Sequence, residues 1–126
     1  MKFLLPNQAA DQLKAGRAIE QWLGHNNAPN YRSIRWLRID PEKVGTFNLA
    51  VFEVFDDGTP EMLDVYGFEP VDPDLPSGSI SAFATPEEAI AAAVQQGASA
   101  DKFVVMGIIQ DLYAAFLNEE GPAPNQ

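Results

Sequence analysis

The stretch Phe47-Asn48-Leu49-Ala50-Val51-Phe52-Glu53-Val54-Phe55 reads as a β-strand, and its two sides decide the fold. Alternate side chains of an extended backbone point to opposite faces, so Phe47, Leu49, Val51 and Phe55 lie on one side and Phe52 and Val54 on the other. Both sides are largely apolar, which predicts a central strand rather than an edge. The second face must then be covered, either by a helix of the same chain or by another chain.

Downstream, Asp56-Asp57-Gly58-Thr59-Pro60 has turn chemistry and Met62 to Phe68 reads as a returning strand, so a hairpin is expected. Upstream, Tyr31 to Asp40 sets Ile34, Trp36, Leu37 and Ile39 among Arg32, Arg35 and Arg38, a strand expected to stop at Asp40-Pro41. The prolines between Glu69 and Gly78 cannot donate to a ladder, which predicts a stiff surface connection; a short strand is expected over Ile80 to Phe83.

Helical spacing marks the two ends of the chain. A first helix is expected from a cap at Asn7 to a stop at Gly24, with Ala15, Ala18, Ile19, Trp22 and Leu23 on one face, and His25 to Asn30 as the loop after it. Thr85-Pro86-Glu87-Glu88 is a helix start with cap, proline and capping-box glutamate in place, and Gly97 ends that helix. Val105, Ile108, Ile109, Leu112, Tyr113 and Phe116 recur at helical spacing, which predicts a last helix over about 100–118 capped by Ser99, with Gly107 inside it at a cost of about 1 kcal/mol. Lys102 to Met106 taken alone also fits a buried strand. Together these elements predict an α+β domain: an antiparallel meander of three or four strands with an N-terminal helix and two C-terminal helices packed on one face, in the order α-β-β-β-(β)-α-α. One domain is expected over residues 1–120 and a disordered tail over 121–126.

Charge divides the chain unevenly. Residues 1–43 hold seven basic side chains against four acids, and residues 44–126 hold fourteen acids against one lysine, so a balance of +3 is followed by −13 within a total of −10. Glu53, Asp56, Asp57, Glu61, Asp64, Glu69, Asp72 and Asp74 fall in a stretch without Lys, Arg or His. A field of one sign repels nucleic acid and anionic membrane and attracts basic partners, so neither nucleic acid nor membrane is an expected partner. An apolar fraction of 46% supports a packed core despite this charge. The chain has no cysteine, hence no thiolate nucleophile and no disulfide, and a cytoplasmic location is the expectation.

No constellation in the sequence points to catalysis, a cofactor or a metal. Asp72-x-Asp74 starts like a calcium loop, but Pro76 and Ser77 stand where that loop needs an oxygen ligand and a glycine. The lone His25 falls in a loop, and with no elbow motif around any serine a Ser-His-acid arrangement has no support. Glu53 with Asp64 offers two carboxylates on a sheet, an arrangement more often structural than catalytic. The isolated glycines fit no phosphate loop. The balance is therefore against an enzyme, and the first reading is a non-enzymatic protein-binding or regulatory module that meets a basic protein partner through Asp56, Asp57, Glu61, Asp72 and Asp74. The second is a small-ligand protein or enzyme with a pocket between sheet and helices lined by Arg35, Trp36, Arg38, Asp64 and Tyr66. The third is a structural homodimer through the second face of the 47–55 strand.

Overall fold

The computed structural model describes residues 3–43, 45–59, 61–75 and 78–121. Its centre is the strand pair on which the sequence reading turned: β2 (Arg32–Lys43) and β3 (Thr46–Phe55), antiparallel, with Trp36 opposite Phe52 and Ile34 opposite Val54. β1 (Ile19–Asn27), β4 (Ser79–Phe83) and β5 (Val104–Val105) extend the sheet, all antiparallel, in the order β4-β3-β2-β1-β5. The helices are α1 (Pro6–Lys14), α2 (Pro86–Gln95) and α3 (Ile109–Glu120). The class is α+β, with an N-terminal helix and two C-terminal helices around one antiparallel sheet, and the sheet has five strands. No helix among the described residues is long and apolar enough to cross a membrane.

The fifth strand comes from the segment expected to prolong the first helix. α1 ends at Lys14 because Gly16 takes φ +82°, a conformation in which a helix cannot continue. Beyond it Ile19, Gln21 and Glu20, Trp22 alternate between the faces of β1, and Ile19 pairs with Ile39 in the interior. Leu5, not Asn7, caps α1, its N–H donating to Gln8 Oε1 at 2.9 Å. β1 also takes in His25, Asn26 and Asn27, so the turn falls at residues 28–31, where the Ala28 N–H donates to the Tyr31 carbonyl at 2.8 Å. β2 runs past Asp40 through Pro41, and the strand register slips between Pro41 and Lys43, the kind of irregularity where a missing N–H is tolerated.

Three further expectations are corrected. Met62 to Phe68 does not return as a strand: the chain makes a 3-10 turn at Val65–Gly67 and then touches β3 through a single bridge between Pro70 and Val54. The cause is Val65, fully buried with Leu63 and Phe68 packed nearby, which draws this segment over the sheet instead of along it. The last helix starts at Ile109, not near residue 100, because Gly107 takes φ +104° and Val104–Val105 pair with Glu20 and Ile19. The helices also occupy both faces of the sheet. α1 and α2 lie with Leu37, Ile39, Phe47 and Leu49 on one face, whereas α3 and the 3-10 turn lie with Ile34, Trp36 and Val54 on the other. The second face of β3 is thus covered within the chain, which removes the reason for seating a second copy there. At the C-terminus the carbonyl of Gly121 accepts from Arg32 Nη2 at 2.7 Å, and the rest of the expected tail, 122–126, lies outside the described residues.

Candidate functional site

The strand β3 delivers the chain at Asp56 into a segment, 56–75, that crosses the second face toward β4. Of the acids read as a partner surface, Asp57, Glu61, Asp72 and Asp74 are exposed on it, and so are Asp64 and Glu69. None of these six forms an ion pair among the described residues. Asp72 Oδ1 accepts the Asp74 N–H at 2.9 Å, a local turn that keeps both carboxylates outward. Met62 and Leu75 are exposed on the same segment, so its surface mixes acids with apolar groups.

Asp56 does not belong to that surface. It is 1% exposed, its Oδ2 accepts from Arg32 Nε at 2.6 Å and its Oδ1 accepts from the Tyr113 hydroxyl. The same hydroxyl accepts the Gly58 N–H at 3.0 Å, and the Arg32 guanidinium lies 4.8 Å from the centre of the Phe116 ring. Burial, then the neighbouring Asp56 carboxylate, push the Tyr113 phenol well above its ordinary range. Asp56 thus ties the end of β3 to β2 and α3.

The second set of predicted residues is partly assembled. Trp36, Arg38 and Tyr66 line a cleft of about 340 Å³ together with Asp40, Asn48 and Phe52. Trp36 stacks on Phe52 with ring centres 4.9 Å apart, Tyr66 stands edge-on to Trp36 at 6.2 Å, and the Arg38 guanidinium lies 5.2 Å from the Phe52 ring. Arg35 is excluded by the pleat: it points to the face opposite Trp36, beside its register partner Glu53, and lines a separate hollow of about 260 Å³ with Asp72 and Leu75. Asp64 stays on the exposed segment, with Gln110 Nε2 3.5 Å from its Oδ1. Glu53 is engaged locally on the sheet, opposite Arg35 and with its Oε2 accepting the Ser33 hydroxyl at 2.6 Å. His25 sits near the exposed end of β1, its ring 5.0 Å from that of Phe116.

Sequence reading missed Glu20, which is fully buried on β1. Its Oε1 accepts from the Tyr66 hydroxyl at 2.7 Å and from the Gly107 N–H at 3.0 Å, while Arg38 Nη1 stands 3.7 Å from Oε2. Burial pushes this carboxyl above its ordinary range, and the Gly107 N–H, the Tyr66 hydroxyl and Arg38 only partly offset that. Among the described residues Glu20 Oε2 has no hydrogen-bond donor and Trp36 Nε1 no acceptor. The signal was present: once 19–27 is taken as a strand, Glu20 shares a face with Trp22, and antiparallel pairing brings Arg38 opposite it.

No family model matches the chain, and neither does any curated protein or solved structure.

Proposed function

We propose that this protein is a binding module that recognises a basic protein partner through the acidic segment 57–74. The observation that carries the reading is that Asp57, Glu61, Asp64, Glu69, Asp72 and Asp74 are exposed without an ion pair among the described residues. Asp56 is buried and paired with Arg32, whereas these six stand in water and contribute to a field directed outward. Complementary charge of this kind speeds encounter and selects partners more than it adds raw affinity. The partner is therefore expected to carry Lys and Arg and to be held less tightly as salt rises.

The test is affinity capture from cell extract with the wild type and with the triple variant Asp57→Lys, Asp72→Lys, Asp74→Lys. All three are exposed, so the variant should fold with a stability change of about 0.5 kcal/mol or less per site. Basic proteins retained at low salt by the wild type should be lost by the variant; unchanged capture removes the proposal.

A second reading is supported by one observation, the unpaired Trp36 Nε1 beside a cleft with aromatic walls. In that reading the cleft takes a small planar ligand, and such a ligand would quench tryptophan fluorescence.

A further inference from the structure

The two edges of the sheet are finished differently. On one side β5 is two residues long and covers only Ile19 and Glu20; past it the outer row belongs to β1, which is broken by a register shift between Trp22 and Gly24. β4 is five residues, Ser79-Ile80-Ser81-Ala82-Phe83, with no charge and no proline, and four of the five side chains are exposed. One side of its main chain is paired with β3, from Val51 opposite Ser79 to Phe47 opposite Phe83, and among the described residues nothing pairs with the other side. The devices that usually protect an edge, namely lysines, prolines, bulges or shortness, are absent from it.

We propose that β4 is the docking edge for an extended basic segment of the partner, which adds to the sheet as a sixth, outermost strand. The proposal rests on the acidic-partner reading and specifies its mode. Charge complementarity chooses the occupant. Next to the start of β4, the exposed Asp72 and Asp74, neither in an ion pair among the described residues, offer carboxylates to a cationic side chain of the incoming strand, while Glu53 in the adjoining hollow already faces Arg35 and Ser33. On the other face Ile80, 55% exposed, lies at the rim of the aromatic cleft and offers an apolar contact to a neighbouring residue. A segment that alternates cationic and apolar side chains would meet both, while its main chain completes the free hydrogen-bonding row. A second copy of this chain fits less well. Antiparallel pairing of β4 with itself would bring the Asp72–Asp74 turn of one copy toward the Glu87–Glu88 helix start of the other, between molecules that each carry a charge of −10.

The probe is a short synthetic peptide of alternating lysine and valine, compared with the same peptide N-methylated along its backbone, which keeps the charge and removes the strand donors. Fluorescence anisotropy should show salt-sensitive binding of the first and at least about tenfold weaker binding of the second, a loss of about 1.4 kcal/mol. Amide exchange at Ser79–Phe83 should slow when the unmodified peptide binds. Equal binding of the two peptides with unchanged exchange at β4 would overturn strand addition and leave the acidic-partner reading standing. No binding of either at low salt would remove both. A dimer by light scattering, with β4 amides protected before any peptide is added, would assign the edge to a second copy and also overturn the proposal.

Discussion

Under α1 and α2 the sheet is covered by small apolar side chains, with Ala9, Ala89 and Ala93 fully buried against Leu37, Ile39 and Leu49. Under α3 and segment 56–75 the sheet's Ile34, Trp36 and Val54 are covered by Tyr113, Phe116 and Phe68, and the same side holds two buried carboxylates, Asp56 and Glu20. Alanines let the backbone of α2 approach closely, and their contacts are non-directional. The other side depends on hydrogen bonds between residues far apart in sequence, such as Asp56 with Tyr113 and Glu20 with Tyr66. The acidic segment is anchored at Asp56 by the first of these and at Tyr66 by the second. Its outward acids are therefore presented from fixed points, although the segment contains little regular structure.

If directional polar contacts hold the second face, removing one should be the costliest single change. Asp56→Ala leaves the Arg32 guanidinium buried without its carboxylate and the Tyr113 hydroxyl without its acceptor, and should lower stability by about 4 kcal/mol in urea denaturation. On the first face the expected weakness is steric. Ala93→Leu adds three carbons to a site with no exposure and should cost about 2 kcal/mol through overpacking. A result in which Ala93→Leu costs more than Asp56→Ala would reverse the contrast between the faces.

What could be read in the sequence follows the same division. β2 and β3 were legible because their alternation runs over many residues and needs no knowledge of the rest of the chain. Residues 15–23 were not, since Ala15, Ala18, Ile19, Trp22 and Leu23 fit helical spacing while Ile19 and Leu23 also fit a strand; the pairing of Ile19 with Ile39 settles it, and that is a long-range contact. The hairpin after β3 failed for a similar reason, because Asp56 is drawn to Arg32 and Val65 to the interior rather than to a local partner. The exposed acids were legible because charged groups among prolines have nowhere apolar to go. In the cleft, Trp36 and Arg38 were recoverable because residues two apart share a face, and the same parity rule argued against including Arg35. Glu20 lay hidden by the misread helix.

Glu20 offers the finest discrimination, through pH. Its carboxyl titrates above the ordinary value of 4.5 in the folded state, chiefly because burial disfavours the charge. The folded protein thus holds this proton more tightly than the unfolded chain, so the contribution to stability is fully present below the unfolded value and is lost as pH rises through the higher folded value. Glu20→Gln keeps an acceptor for the Tyr66 hydroxyl and the Gly107 N–H but cannot ionise. Measured by thermal denaturation across a pH series, the wild type should lose stability relative to this variant as pH is raised from mildly acidic to neutral. The effect should be smaller than that of Ala93→Leu because Arg38 and two donors already offset part of the charge. A stability difference that stays flat with pH would mean that the Glu20 carboxylate is fully compensated where it sits, even though its Oε2 has no hydrogen-bond donor among the described residues.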